Sequence, residues 1–175
     1  MKRTLLLLSS LVAFLFLATP AMAQTLYLHG GAGFPSSSNF NDAYKAGFNA
    51  GLGVGIPITS QLEALLRGNV DRFENDVQLA DNFVSYAATG NLKLNARRGT
   101  PRFNPYALAG AGVFRLGVQD NYETEFGLQF GAGLNIRTSP RASLLIEPNY
   151  IVVLDDQAGE NTQYFPVRVG AAFRL

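Results

Sequence analysis

The stretch Phe126–Leu154, FGLQFGAGLNIRTSPRASLLIEPNYIVVL, holds two long runs of alternating residues joined by a short turn. In the first run Leu128, Phe130, Ala132, Leu134 and Ile136 share one face, and Gly127, Gln129, Gly131, Gly133, Asn135 and Arg137 share the other. In the second, Leu144, Ile146, Pro148, Tyr150 and Val152 oppose Ser143, Glu147 and Asn149. Successive side chains of a strand point to opposite faces, so a sustained period of two reads as a β-hairpin turning at Ser139–Arg141. At about 3.3 Å per residue these runs exceed the common soluble strand of about five or six residues and match the roughly 9 to 11 tilted residues that cross a bilayer.

Working outward, the same unit repeats. Thr25–Phe34 sets Leu26, Leu28, Ala32 and Phe34 against Tyr27, His29, Gly31 and Gly33. Tyr44–Ile58 has the cleanest alternation, with Ala46, Phe48, Ala50, Leu52, Val54 and Ile56 opposite Lys45, Gly47, Asn49, Gly51, Gly53 and Gly55. Gln61–Asp71 places Leu62, Ala64, Leu66 and Val70 opposite Glu63, Leu65, Arg67, Asn69 and Asp71. Phe83–Asn95 places Val84, Tyr86, Ala88, Leu92 and Leu94 opposite Ser85, Thr89, Asn91, Lys93 and Asn95. Pro105–Leu116 is phased with Tyr106, Leu108, Phe114 and Leu116 on the apolar face and Ala107, Ala109, Ala111 and Arg115 on the polar one. Tyr164–Leu175 closes the set, with Phe165, Val167, Val169, Ala171, Phe173 and Leu175 opposite Arg168, Gly170, Ala172 and Arg174.

The result is eight strands, linked alternately by polar loops (35–43, 72–82, 117–125, 155–163) and turns (57–60, 96–104, 139–141). Charge follows the same alternation. Of the 13 acidic residues, all but Glu63, Asp71 and Glu147 lie in the long loops, while the turns carry Arg97, Arg98, Arg102 and Arg141 and no acid. An even-stranded antiparallel barrel sends alternate connections to opposite rims, which gives its ends different chemistry and turns the acidic loops outward.

At the amino terminus, Lys2 and Arg3, the apolar run Leu5–Leu17 and Ala21-Met22-Ala23 before Gln24 have the layout of a secretory signal peptide over residues 1–23. The apolar run is too short for the roughly 20 residues of a spanning helix. The remaining domain, residues 24–175, carries 12 basic against 13 acidic residues once Lys2 and Arg3 are removed, so its net charge of −1 excludes a basic nucleic-acid-binding balance. The absence of cysteine excludes disulfides and thiolate chemistry.

A soluble eight-stranded barrel would turn its apolar face inward. Here the polar face is rich in glycine and carries charges of both signs, as expected of groups that pair inside a confined lumen. Glu63, Arg67, Lys93, Arg115, Arg137, Glu147 and Arg168 are the expected lumen charge network. Aromatic residues near strand ends read as interfacial girdles, with Phe34, Phe48, Phe83, Tyr86, Phe130, Tyr150 and Phe165 towards the loops and Tyr27, Tyr106 and Phe173 towards the turns. The expected fold class is all-β, an eight-stranded antiparallel up-and-down transmembrane β-barrel preceded by a cleaved signal peptide.

The segments GLNIRTSPRASLLIEPNY (Gly133–Tyr150), NPYALAGAGVF (Asn104–Phe114) and YFPVRVGAAFRL (Tyr164–Leu175) resemble the outer-membrane protein β-barrel domain family, the small barrels of OmpA/OmpX type. The resemblance implies location in the outer membrane of a Gram-negative-type bacterium and contact with outer-membrane lipid and lipopolysaccharide. It also implies insertion by the barrel assembly machinery, which would read the closing strand at Phe173 and Leu175. Family members usually end in an aromatic residue, and this chain ends in Leu175.

Some eight-stranded outer-membrane barrels of similar form are enzymes that edit lipid A with a histidine, a serine and an acid near the outer rim. The sole histidine here is His29, in the first strand near the turn rim, where a structural, lumen-facing role is expected. No metal-ligand spacing stands out, and the glycines follow strand period rather than a phosphate loop. The expectation is therefore a non-enzymatic, cofactor-free, monomeric barrel with a structural or surface-interaction role and a lumen filled by charged side chains. The alternatives are a lipid A-modifying enzyme, a small pore, or a soluble periplasmic lipid-binding barrel.

Overall fold

The computed structural model describes residues 24–37, 44–75, 82–96, 102–118, 121–154 and 161–175. The expected signal peptide and the turn residues Arg97 and Arg98 lie outside these. Eight strands form, namely β1 (Thr25–Pro35), β2 (Gly47–Pro57), β3 (Leu62–Phe73), β4 (Phe83–Asn95), β5 (Phe103–Val118), β6 (Asn121–Arg137), β7 (Ala142–Leu154) and β8 (Thr162–Arg174). Each pairs antiparallel with its sequence neighbour, and β8 pairs with β1 to close the barrel. No strand edge is left open around the ring, which is what a hydrocarbon surround demands of backbone polar groups.

The stagger of the strands sets the width of the lumen. Register partners followed once around from Thr25 pass through Gly55, Leu65, Asn91, Gly110, Gln129, Ile151 and Tyr164 and return to Pro35, ten residues further along β1. For eight strands that shear tilts them about 40° from the axis and gives a backbone diameter of about 16 Å, just wide enough for side chains to fill.

Polarity runs opposite to that of a soluble barrel. Arg67, Lys93, Gln129, Glu147 and Arg168 point inward and keep 2% or less of their surface accessible, whereas Leu52, Leu92 and Val169 on the outer wall are 57%, 55% and 53% exposed. Leu28, Leu66, Leu144 and Ile146 extend the same apolar band. A continuous apolar belt of this extent is a membrane-facing surface.

Three expectations need correction. The faces of β5 are reversed: Tyr106, Leu108 and Phe114 are buried in the lumen, and Ala107, Ala109, Val113 and Arg115 face outward. The cause is size complementarity with β6. A Cβ on Gly133 would overlap the Tyr106 phenol, and one on Gly127 would come within 2.6 Å of the Phe114 ring, so β5 supplies the bulk where β6 supplies none. The girdle assignment changes with it. Tyr27 and Tyr106 are lumen residues and Phe83 packs inward beside Tyr44 and Phe73, while Phe103 joins Phe173 on the outer wall at the turn end. Finally, the expected loop 117–125 is largely strand, because β5 runs to Val118 and β6 starts at Asn121, with pairs such as Arg115↔Thr124 and Gly117↔Tyr122 between them.

Candidate functional site

The site is the lumen, which is filled in three layers. In the middle layer, Arg67 on β3 and Glu147 on β7 stand four strands apart, on opposite walls. They meet in a bidentate pair, Nη1 to Oε1 at 2.6 Å and Nη2 to Oε2 at 3.1 Å. Arg168, the register partner of Glu147 on β8, brings Nη1 to 3.6 Å from Oε1. The Tyr106 hydroxyl donates to Oε2 at 2.8 Å, and Asn149 Nδ2 donates to Oε1 at 2.9 Å. Gln129 reaches Asn149 Oδ1 at 3.1 Å. With its amide turned over, Gln129 would instead accept from Arg67 Nη1 at 3.3 Å and Arg168 Nη1 at 3.2 Å. A carboxylate with so many donors, set between two guanidiniums, is the arrangement that offsets the cost of burying charge.

The turn-side layer joins Tyr27, Glu63 and Lys93. Lys93 Nζ donates to the Tyr27 hydroxyl at 2.8 Å, which donates onward to Glu63 Oε1 at 2.7 Å. Lys93 also lies 3.8 Å from Glu63 Oε2, and its ammonium sits 4.6 Å and 4.2 Å from the ring centroids of Tyr27 and Tyr106. Leu65, Leu145 and Ala172 pack against Tyr27. The loop-side layer is apolar, with Phe73, Ala87, Phe114, Ile151, Val153 and Tyr164 in one cluster. Beneath it Asp71 is fully buried and receives the Tyr164 hydroxyl at 3.4 Å.

Of the expected charge network, Glu63, Arg67, Lys93, Glu147 and Arg168 are brought together inside. Arg137 lies at the turn-side mouth rather than in the interior. Arg115 is a correction: with β5 reversed it faces outward, its guanidinium 5.1 Å from the Tyr122 ring centroid. Asp71, on the polar face as expected, meets the Tyr164 hydroxyl, and Tyr27 and Tyr106, expected at the membrane interface, stand in the lumen. The missed signal was the run of lumen glycines on β6, whose space a large inward residue of β5 has to fill. His29 is buried and bonds through Nε2 to Asn69 Oδ1 at 2.8 Å. Its register neighbours Gly51 and Gly170 leave room for the ring. Phe173 and Leu175 are exposed at the turn end of β8. Among the described residues no three His, Asp or Glu side chains converge as a metal site would need.

A closed, tilted, eight-stranded barrel with an apolar outer belt and a charged, side-chain-filled lumen defines an integral outer-membrane barrel. The sequence matches the family described as outer membrane protein beta-barrel domain over residues 9–173. The chain belongs to that family, and its location is the outer membrane of a Gram-negative-type bacterium. No curated protein matches the sequence. Among solved structures, Neisserial surface protein A (NspA) is similar at a TM-score of 0.72 and 17% identity, over 87% of this chain and 97% of that one. The N-terminal β-barrel domain of Pseudomonas aeruginosa OprF is similar at 0.61 and 11% identity, over 88% of this chain and 98% of that one. The outer membrane enzyme PagL is similar at 0.51 and 15% identity, over 87% of this chain and 100% of that one. These likenesses concern the fold.

Proposed function

We propose that this protein is a non-enzymatic, monomeric barrel of the outer membrane that serves the envelope structurally and meets the exterior through its acidic loops. The Arg67–Glu147 bridge carries this reading, since it spans the barrel at its middle with both side chains buried, as in a lumen filled by side chains. Lipopolysaccharide and divalent ions are the partners suited to acidic residues in the loops, such as Glu74, which is exposed just beyond β3. Residues 1–23 direct export and are removed, and the closing strand with Phe173 and Leu175 is read by the barrel assembly machinery. Reconstituted into planar bilayers, the protein should give no conductance steps of porin size. Steps of that size would overturn the filled-lumen reading.

The second reading, a lipid A-modifying enzyme, is kept because one enzyme, PagL, shares the fold. Against it stands His29, the chain's one histidine, whose Nε2 bonds to an asparagine within the lumen. Replacing His29 by Ala should leave the lipid A profile of the host unchanged, and an altered profile would favour the enzyme.

A further inference from the structure

Two arginines stand on the membrane-facing wall near its loop end. Arg72 on β3 and Arg115 on β5 are exposed and point outward, next to the buried Asp71, Phe73 and Phe114, which point in. Strand β4 separates them, and their register partners on it, Val84 and Tyr86, are one same-face step apart, so their Cα atoms lie about 12 Å from each other. A charge on this wall is costly at the bilayer centre and tolerated near the surface. At about 3.3 Å per residue and a tilt of about 40°, Arg115 lies about 30 Å above Phe103 along the axis, beyond an apolar band about 25 Å tall. With the long loops outward, that is the headgroup depth of the outer leaflet. Among the described residues neither arginine forms an ion pair, with Glu74 just past β3 or with any other carboxylate. Arg115 sits beside Tyr122, whose ring centroid is 6.1 Å from that of Tyr86.

Below the arginines the wall is grooved. A cleft of about 880 Å³ is lined by Leu28, Gly30, Ala50, Leu52 and Val70, with Tyr86 at its upper end. Gly30, Ala50, Val70, Tyr86 and Arg115 are successive register partners from β1 to β5. The shear makes such a row climb towards the loops, by about 12 Å between Gly30 and Arg115. The groove and the arginines therefore form one continuous surface, apolar below and cationic above.

We propose that this surface binds a phosphorylated glycolipid of the outer leaflet, with its phosphates on Arg72 and Arg115 and an acyl chain in the groove. Guanidinium forks match phosphate oxygens in pairs, and two of them set apart across β4 suit a headgroup that carries more than one phosphate. The apolar lining beneath offers nothing to a soluble anion and suits a hydrocarbon chain. The inference rests on the outer-membrane reading above and gives its lipopolysaccharide contact a place on the wall, in addition to the acidic loops.

Bisphosphorylated lipid A is the probe. Titrated into the folded barrel in non-ionic detergent and read by native mass spectrometry, it should be retained by the parent, and the apparent affinity should fall at least tenfold in Arg72→Gln/Arg115→Gln. The single Arg115→Gln should give an intermediate loss and guards against misfolding of the double variant, with the heat-modifiable band as the check on folding. Ala50→Phe, which fills the groove and leaves both arginines in place, should also weaken retention. Arg102→Gln, at the opposite rim, should bind as the parent does. Removing both phosphates from the probe should weaken parent binding as much as the double variant does, and an equal amount of phosphatidylglycerol should not displace it. No retention by a folded parent, equal retention of the dephosphorylated probe, displacement by phosphatidylglycerol, or an equal loss in Arg102→Gln overturns the proposal. None of these results touches the filled-lumen reading, which the conductance measurement tests separately.

Discussion

Arg67 and Glu147 are 80 residues apart in the chain and on opposite walls of the barrel, yet they share two hydrogen bonds across its centre. Both are almost wholly buried, so neither charge has water to fall back on. This one pair braces the barrel across its diameter, joining β3 to β7.

Removing both partners should cost less than the sum of removing each. Glu147→Ala leaves Arg67 and Arg168 buried without their shared carboxylate, and a loss of about 3–5 kcal/mol is expected for breaking a buried pair of this kind. The double variant Arg67→Met/Glu147→Met should lose less than the two single variants combined. The urea midpoint of the compact, heat-modifiable band in detergent reads this, and full additivity would mean that the pair is not coupled.

The same geometry predicts a change in conduction. Glu147→Ala removes the side chain on which Arg67, Tyr106, Asn149 and Arg168 converge. Single-channel recordings should show larger or more frequent steps for this variant than for the parent. Identical traces would place the constriction elsewhere, with the loop-side apolar cluster as the next candidate.

Arg115 should be dispensable. It faces outward beside Tyr122, and a substitution away from buried networks changes stability by about 0.5 kcal/mol or less, with about 0.5–1 kcal/mol for an exposed cation–π contact as the upper limit. Arg115→Gln should therefore unfold close to the parent midpoint. A loss comparable to that of Glu147→Ala would restore Arg115 to the lumen and undo the reversed phase of β5.

Two glycines on neighbouring strands should behave oppositely. A Cβ at Gly90 meets nothing within 4 Å, so Gly90→Ala should be tolerated or gain about 0.4–1 kcal/mol from a less flexible unfolded chain. A Cβ at Gly112 would run into the Ala88 carbonyl and the Thr89 backbone of β4, so Gly112→Ala has to push two strands apart. Yield of the heat-modifiable form on refolding into detergent should fall sharply for Gly112→Ala and hold for Gly90→Ala.

The sequence by itself determined the eight strands, their antiparallel order, the closed barrel and the direction of polarity. It could do so because these rest on a local period of two, strongest where Leu, Val and Ile alternate with charged, polar or small residues, as in β2, β4 and β7. Where Ala and Gly stand on both faces, as in β5, the period is present without a contrast in hydropathy, and the tertiary structure alone decided that Tyr106 and Phe114 go inside. It also decided which charges meet. That Glu147 finds Arg67 across the barrel follows from the shear, a sum of all eight strand registers, and a quantity distributed around the whole ring cannot be read from any one stretch.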